Sequence, residues 1–450
     1  MLTHRVVTAD GFFADLRQRE FARLDANGVA YLDYAGSALY AESVVTAHRA
    51  VLGRTIFGNP HSEHSASQAS TRAIDVARRH VLRALNAGDD YVVCFTANAT
   101  AAIKLVAEAY PFDRRTPLVL TADNHNSVNG VREFARRAGA DVHYLPLRDD
   151  LRLSHPEGRL SMIRGEGLVA LPAQSNFSGV HHPLSLVRTA QSLGHHVLLD
   201  AAAYVPSHAL DLRACPADFV AMSFYKMFGY PSGVGALVAR RAALAALARP
   251  WFAGGTIEYV SVQLQRHHLR PLQDGFEDGT ANFLDIAALE HGFLFRDRVG
   301  ISRLTPRVLE LAEELIAGLR NLRHRDGSPL VTIYGPASLD RRGGTIAFNI
   351  LDRDGHPVPF GLVEHRADAA GVHLRGGCFC NPGASEAAFG FDADRVGRCL
   401  DTLVDGFSIP RLQQCLGPGT AVGAVRASLG LANNSRDIQR AIDVLSSFAA

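Results

Sequence analysis

Two segments near the middle of the chain, HVLLDAAA at residues 196–203 and MSFYKMFGYPSGVG at residues 222–235, decide the fold. Each segment includes at least part of a short apolar run of the kind that forms a buried strand. An ionisable side chain comes after each run, Asp200 in the first segment and Lys226 in the second. Side chains at the carboxyl ends of neighbouring parallel strands lie at the ligand-binding edge of an open α/β sheet. The two segments therefore predict a site at the edge of such a sheet.

The alternation of strand-like and helix-like segments extends outward from these residues, from about residue 90 to residue 240. The predicted strands are 91–96, 118–121, 142–145, 168–172, 197–200 and 219–223, and the first predicted helix is Ala99–Tyr110. After residue 300 the pattern changes to a long amphipathic helix at 304–322, a strand at 343–351 and a final helix from Asp437. We expect an α/β fold with a large, mostly parallel-sheet domain at 29–300 and a smaller α+β domain at 301–450. The smaller domain is expected to include an N-terminal helix at 1–28.

The composition of the chain argues against several classes of protein. The 450 residues include 46 Lys and Arg against 45 Asp and Glu, so no basic excess exists to hold nucleic acid or an anionic membrane by bulk electrostatics. The N-terminus lacks the apolar core of a signal peptide, and no apolar run approaches the ~20 residues that span a bilayer. The six cysteines are too few and too scattered for a disulfide framework. We therefore expect a cytoplasmic protein in a reducing compartment.

Asp200 and Lys226 match the two groups that pyridoxal 5′-phosphate (PLP) requires. A lysine forms the Schiff base, and a carboxylate keeps the pyridine nitrogen protonated so that the ring accepts electrons. The alternative interpretation is structural, with Asp200 capping a helix and Lys226 solvated at the surface.

Further side chains could complete a PLP site. The segment 96–100 lies between a strand and a helix, where free backbone N–H groups favour a phosphate, although helix capping by Asn98 or Thr100 explains it equally well. Ser223 and Tyr225 would add hydroxyl groups. His125, in a loop after a strand, could lie against the ring or be structural.

A second constellation is the loop LRGGCFCNPGAS at residues 374–385. Cys378 and Cys380 lack the second cysteine pair that a zinc site needs, but an accessible thiolate there, close in sequence to Arg375, could act as a nucleophile. The alternative is a pair of partly buried structural thiols. The paired histidines elsewhere have no acidic or cysteine partner at ligand spacing, so we expect no metal site.

Taken in order along the chain, the motifs resemble the class V aminotransferase family of fold-type I PLP enzymes. Within that family the similarity is to the cysteine desulfurases, and in particular to the N-terminal desulfurase domain of the molybdenum cofactor sulfurases. The motifs that carry it are YLDYAGSALY, GNPHSEHSAS, FTANATAAIKLVAEAYP, DNHNSV, PAQSNFSGVHHPL, VLLDAAAYVPSHALDL, ADFVAMSFYKMFGYPSGVGALV, FAGGT, FEDGTANFLDI, LRGGCFCNPGA and VRASLG.

The resemblance implies a role for each matching residue. Lys226 would be the Schiff-base lysine, Asp200 the partner of the pyridine nitrogen, and His125 the residue stacked on the ring. The phosphate would be held by Ala99, Thr100, Ser223 and Tyr225, with Thr280 reaching across from the second subunit of a homodimer. Asn176 would contact the cofactor or the substrate, and Arg426, with Arg375, the substrate carboxylate. The catalytic cysteine would be Cys380, with Cys378 as second choice.

The implied activity is that of a PLP-dependent cysteine desulfurase, which forms alanine and an enzyme persulfide from L-cysteine and passes the sulfur to an unidentified acceptor. A C–S lyase, an epimerase or an aminotransferase of the same fold, with Cys380 not catalytic, remains an alternative, as does a catalytically silent scaffold. The chain departs from many desulfurases at three positions: Gly376 replaces a threonine, Ala203 a glutamine near the cofactor, and Tyr225 a histidine. We also expect no counterpart of the C-terminal domain of the long sulfurases.

Overall fold

The structure is a computed structural model that describes residues 9–417 and 419–450. Its strands are β1 (Ala30–Tyr31), β2 (Tyr91–Thr96), β3 (Leu118–Thr121), β4 (Val142–Leu145), β5 (Leu168–Pro172), β6 (His196–Asp200), β7 (Phe219–Ser223), β8 (Gly235–Arg240), β9 (Ile257–Ser261), β10 (Arg266–Leu269), β11 (Val331–Tyr334), β12 (Thr345–Ile350), β13 (Val372–His373), β14 (Arg375–Gly377) and β15 (Ala424–Ser428).

The helices follow in the same order. They are α1 (Ala9–Glu20), α2 (Ala22–Ala26), α3 (Glu42–Arg54), α4 (Ser65–Ala84), α5 (Ala99–Ala109), α6 (Asn126–Asn129), α7 (Val131–Arg137), α8 (Pro156–Leu160), α9 (Ser185–Ser192), α10 (Phe224–Phe228), α11 (Arg241–Ala245), α12 (Phe283–Val299), α13 (Ile301–Asn321), α14 (Phe360–Ala369), α15 (Pro382–Phe389), α16 (Ala393–Thr402), α17 (Ile409–Leu416) and α18 (Ser435–Ser446), with a 3₁₀ turn at Leu272–Gly275.

A seven-stranded sheet in the order β2-β8-β7-β6-β5-β3-β4 forms the centre of the molecule. Strand β8 runs antiparallel to both of its neighbours, and the other pairs are parallel. The interior strands are buried on both faces, which explains why their sequences are continuous apolar runs rather than alternating ones. The predicted α/β fold with a mostly parallel sheet is confirmed, and the carboxyl ends of β2, β3, β5, β6 and β7 share one edge.

A second sheet is antiparallel, in the order β11-β12-β15-β14. Its hydrophobic core includes side chains of α13 and α18 together with Phe13 and Leu16 from α1 and Phe21 between α1 and α2. Residues 30–44 and Phe295 contribute to the same core. The boundaries proposed at residues 29 and 300 remain predictions, and residues 1–8 of the predicted N-terminal helix lie outside the described residues.

Cys399 and Cys415 form a disulfide between α16 and α17, with their Cα atoms 5.8 Å apart. This bond is not indicated by any local sequence pattern, because only the packing of the two helices brings the residues together across 16 positions. The sequence predicted no disulfide framework, and it gave no indication of this single bond. Cys94, Cys215, Cys378 and Cys380 are free.

No helix in the described part of the chain combines the length and the apolar character needed to cross a membrane.

Candidate active site

A cavity of about 160 Å³ opens at the shared edge of the large sheet. The structure brings nine of the residues singled out from the sequence into its wall: Ala99, Thr100, His125, Asn176, Asp200, Ala203, Ser223, Tyr225 and Lys226. They come from the ends of different strands, so the parallel topology, and not proximity in sequence, assembles the site.

One wall of the cavity is the N-terminus of α5, directly after β2. Asn98 caps this helix by accepting a hydrogen bond from the Ala101 N–H at 3.0 Å, and the Ala99 N–H donates to Ser223 Oγ at 2.8 Å. The capping interpretation of the segment is therefore correct. It does not compete with anion binding, because the positive end of the helix still faces the cavity and the Thr100 side chain lies beside it.

His125 stands at the N-terminus of the short helix α6. Its Nδ1 lies 2.9 Å from Ser127 Oγ, and Ser127 Oγ lies 2.7 Å from Thr100 Oγ1, so one hydroxyl joins the histidine to the α5 wall. Burial lowers the pKa of His125, an effect that Asp200 opposes. The imidazole is therefore held toward its neutral form at neutral pH.

Lys226 follows β7 in the single turn of α10, which ends at Gly229 with a φ of 76°. A Cβ at Gly229 would lie 2.2 Å from the Tyr40 backbone nitrogen, so only glycine permits this turn. Burial lowers the pKa of Lys226, Asp200 raises it, and Arg426 lowers it again. The lysine is half-buried in the cavity wall rather than solvated at the surface.

Asp200 ends β6 and is 9 % exposed. Its Oδ1 accepts a hydrogen bond from the Ala202 N–H at 2.9 Å in the turn that follows the strand. No helix begins at this turn, so the alternative in which Asp200 serves as a helix cap does not hold.

The cysteine-bearing segment forms a tight turn from Cys378 to Asn381, closed by a hydrogen bond from the Asn381 N–H to the Cys378 carbonyl at 2.9 Å. Phe379 and Cys380 both have a φ of 55°, in the left-handed region that non-glycine residues rarely adopt. Such strain persists only where surrounding contacts enforce it, and it is concentrated at functional sites. Cys380 is exposed and Cys378 half-buried.

Hydrogen bonds from the large-sheet side hold this turn in place. Asn176 Nδ2 donates to the Phe379 carbonyl at 2.7 Å, and the Asn126 N–H donates to the Cys380 carbonyl at 2.7 Å. Asn381, which is fully buried, donates through Nδ2 to the Asp123 carbonyl at 2.7 Å and to Asn176 Oδ1 at 2.9 Å. The cysteines are therefore held beside the cavity, although neither of them lines it.

Arg375 and Arg426 lie on adjacent strands of the second sheet, also outside the cavity lining. Arg426 Nη1 donates to the Asn176 carbonyl at 2.9 Å, and its guanidinium carbon lies 4.6 Å from the centre of the Phe379 ring. Both arginines bind Asp33, Arg375 through Nε at 2.9 Å and Arg426 through Nη2 at 3.0 Å. Arg426 therefore contacts both the cavity wall and the cysteine turn.

Thr280 is exposed and lies outside the cavity lining of its own chain.

The structure shows what surrounds the three residues that depart from the desulfurase pattern. A Cβ at Gly376 would lie 2.3 Å from Glu364 Oε2 and 2.5 Å from the Phe360 ring, so a threonine there would require both side chains to shift. Ala203 and Tyr225 both line the cavity.

Several residues of the site were missed in the sequence. Gln174 lines the cavity and is held by His181, whose Nε2 lies 2.8 Å from Gln174 Oε1. Ser127, Asp33 and Asn381 were missed as well. Asp33 and Asn381 lie inside quoted motifs, but nothing in a single sequence distinguishes their side chains from ordinary turn and capping residues.

The described residues contain one group of three side chains that could hold a metal ion, Asp352, Asp354 and His356, with ligand atoms within 4.8 Å of one another. All three are exposed, and none belongs to the cavity.

The cavity has the donor set that PLP needs. An amine whose pKa is lowered by burial stands near a buried carboxylate, and hydroxyl groups gather at the N-terminus of a helix that can receive a phosphate. The residues present therefore fit the cofactor: Lys226 and Asp200 for the ring, and Thr100, Ser223 and the α5 N-terminus for the phosphate.

A mostly parallel seven-stranded sheet with this edge site and a smaller antiparallel sheet define the fold of the type I PLP-dependent transferases. A family model described as Aminotransferase class-V matches residues 30–441. The chain therefore belongs to the class V aminotransferase family.

Three known proteins illustrate the relationship. The chain is 35 % identical over 456 residues to the molybdenum cofactor sulfurase of Homo sapiens, covering 95 % of this chain and 50 % of that protein. It is 36 % identical over 475 residues to the molybdenum cofactor sulfurase of Drosophila melanogaster, covering 95 % and 59 %. The apo cysteine desulfurase of Thermococcus onnurineus NA1 has a TM-score of 0.80 at 24 % identity, covering 96 % of this chain and 97 % of that one, a likeness of fold alone. The chain thus spans little more than half the length of the curated relatives it matches.

Proposed function

We propose that this protein is a PLP-dependent cysteine desulfurase that converts L-cysteine to L-alanine, keeps the sulfur as a persulfide on Cys380 and passes it to a separate acceptor. The observation that carries the proposal is the strained turn that presents an exposed Cys380 and is held to the cavity wall through Asn176 and Asn381. An aminotransferase or epimerase has no use for a thiol held in this way.

When bound, the cofactor holds the substrate amino group and withdraws electrons from its Cα. Lys226 anchors it, and its amine, kept toward the neutral form by burial, then moves the proton at the substrate Cα. Asp200 would keep the pyridine nitrogen protonated, and His125, which lines the same cavity, would stack on the ring.

The other wall residues orient the two molecules. Thr100 and Ser223, with the Ala99 backbone and the Tyr225 hydroxyl, hold the phosphate at the α5 N-terminus. Ala203 leaves space beside the ring. Arg426, with its cross-strand partner Arg375, would receive the substrate carboxylate as a charge-assisted pair, and Asn176, whose carbonyl accepts a hydrogen bond from Arg426 Nη1, would contact the cofactor or the substrate.

The sulfur step is balanced without an outside oxidant or reductant. The Cys380 thiolate forms a bond to the substrate sulfur while the substrate C–S bond breaks. The electron pair of that bond stays with carbon, which takes up a proton and leaves as alanine. Cys380 retains the sulfur as a persulfide, and Cys378 is the second candidate for this role.

We also propose a homodimer in which Thr280 of one subunit reaches the phosphate site of the other. The support is the exposed apolar surface of the β9–β10 hairpin and the residues before it, formed by Trp251, Tyr259, Val262 and Leu264. A reducing, cytoplasmic location would keep the exposed Cys380 thiol reduced, whereas the Cys399–Cys415 disulfide is of a kind that is rare in such compartments. Mass measurement in solution, with Tyr259→Ser and Val262→Ser expected to weaken the dimer, tests the assembly.

The activity is tested by incubating the purified protein with PLP and L-cysteine and measuring alanine and sulfane sulfur. We expect the two in equal amounts. Cys380→Ser should abolish both while leaving cofactor bound, and Cys378→Ser should leave both. Pyruvate, ammonia and sulfide that persist in Cys380→Ser would indicate a C–S lyase and contradict the proposal.

Cofactor attachment has its own test, because the chain contains only two lysines, Lys104 and Lys226. Lys104 is 62 % exposed on α5 and pairs with Glu108. Borohydride reduction of the PLP-loaded protein should label Lys226 and not Lys104. Lys104→Arg should retain the visible absorption band, and Lys226→Arg should lose it; a band that survives Lys226→Arg would refute the assignment.

A further inference from the structure

Arg375 and Arg426 are direct partners across the antiparallel pair β14–β15. Like charges directly opposite each other on a sheet destabilise it unless a counter-charge intervenes. That counter-charge is Asp33, which lies beside the end of β15 through a bridge to Ser428.

Asp33 is shared unequally between the two arginines. Arg375 Nε lies 3.0 and 2.9 Å from the two carboxylate oxygens, whereas Arg426 binds one of them through Nη2 at 3.0 Å. Arg375 is half-exposed, so water also compensates its charge. Arg426 is 2 % exposed, so its charge is compensated by Asp33 and the Asn176 carbonyl, with the Phe379 ring 4.6 Å from the guanidinium carbon.

One nitrogen of the Arg426 guanidinium makes no hydrogen bond within the described part of the chain. This nitrogen, Nε, is buried, and a buried donor without a partner costs free energy in a protein interior. Two guanidinium groups, those of Arg375 and Arg426, share the single carboxylate of Asp33, so the three side chains together leave one positive charge that one additional anion would balance.

The contact between Asp33 and Arg375 is closely fitted. A Cβ on Gly36 would lie 2.5 Å from Asp33 Oδ2 and 2.7 Å from Arg375 Nη2. The chain therefore carries its smallest residue where the carboxylate and the guanidinium meet.

We propose that Asp33 is a specificity-determining residue: it neutralises Arg375 and orients Arg426, so that the site accepts an amino acid with one carboxylate and disfavours one with two. Without the Asp33 charge, Arg375 becomes free for a second carboxylate. The inference rests on the proposed function, since it concerns the amino acid that binds beside the cofactor.

The test compares two ligands of the PLP-loaded protein, L-alanine with one carboxylate and L-aspartate with two. Affinities are measured by calorimetry and by the change in cofactor absorption. Asp33→Asn should raise the affinity for L-aspartate relative to L-alanine about tenfold, because it uncovers one unit charge near the ligand. An unchanged ratio would overturn the inference.

Two further variants separate charge from structure. Gly36→Ala keeps every charge but displaces the contact, so it should weaken both ligands alike and leave their ratio unchanged; a shift as large as that of Asp33→Asn would contradict a role for the charge. Asp33→Asn combined with Arg375→Gln restores the charge balance and should return the ratio to that of the wild type, and a ratio that stays high in the double variant would also refute the inference.

The two proposals fail in different ways. If the wild-type protein binds L-alanine but the ratio does not respond to Asp33, only the inference fails. If the wild-type protein binds neither PLP nor L-alanine, the proposed function fails and the inference falls with it.

Discussion

Asn381 donates a hydrogen bond through Nδ2 to Asn176 Oδ1 at 2.9 Å, and this contact joins the cysteine turn to the cofactor cavity. The two residues are 205 positions apart in sequence. Asn381 also caps α15 by accepting a hydrogen bond from the Ala384 N–H at 3.2 Å. One buried amide thus serves the helix, the turn and the wall of the cavity.

Asn381→Ala should therefore cost more than the loss of a helix cap. An N-cap contributes about 1 kcal/mol, and each buried partner left without a hydrogen bond adds about 1–3 kcal/mol. We expect a loss of stability of at least about 2 kcal/mol in urea unfolding, and a fall in kcat with little change in cofactor affinity. The matched control is Asn434→Ala, which removes the cap of α18 at a residue that does not line the cavity and should cost only about 1 kcal/mol. Equal losses in the two variants would count against this role.

The lowered pKa of Lys226 predicts the pH dependence of cofactor attachment. Only the neutral amine attacks an aldehyde, so attachment of PLP to the cofactor-free protein should reach half its maximal rate below the ordinary pKa of lysine. Asp200 raises the pKa of Lys226 by stabilising the ammonium. Asp200→Asn should therefore shift the midpoint further toward acid. The rate at which the visible band grows, measured against pH, checks the sign, and a shift toward alkali would be incompatible with it.

Arg17 should prove essential for docking the N-terminal helices. It binds Asp437 at 2.6 Å, and both side chains are buried. Arg17→Ala leaves a buried carboxylate without its cation, which costs about 3–5 kcal/mol. Arg19→Ala on the same helix removes only an exposed pair with Asp15 and should cost less than about 1 kcal/mol. Urea unfolding and limited proteolysis near residues 9–26 measure both, and similar losses would argue against this docking contact.

The disulfide between Cys399 and Cys415 should stabilise the α16–α17 segment locally. Closing a loop with a separation of 16 residues contributes about 3 kcal/mol in the chain-entropy description. We expect the double variant Cys399→Ser and Cys415→Ser to exchange amide hydrogens faster over 393–416 while the large sheet keeps its protection. Mass spectrometry of the unreduced protein should show this bond and no other; free thiols at both positions would contradict it.

Much of the fold was predictable, because it is written in local periodicity. The strands β2, β3, β4, β5 and β7 coincide with the predicted segments. Burial imposes continuous apolar runs on β2, β3, β5 and β7, whereas β4 is a partly exposed edge strand. Helix α13 begins three residues earlier than predicted, directly after Gly300. Helix ends depend on capping and packing more than on periodicity, so such differences are expected.

The residues of the candidate site likewise divide into those that local sequence patterns predict and those that only the folded chain brings together. Residues that follow strands, such as Asp200, Lys226 and His125, were identified from the sequence because strand ends share one edge of a parallel sheet. Asp33 was not, although it binds two of the residues that were.

The sequence by itself determined the sheet, its edge and the ionisable groups placed there, since each follows from patterns within a few residues. Only the tertiary structure decided that Asp33 joins Arg375 to Arg426 across 342 and 393 positions, that Asn381 meets Asn176, and that Cys399 pairs with Cys415. The physical reason is that a hydrogen bond or a disulfide acts over a few ångströms, and segments distant in sequence come that close only when the whole chain has folded.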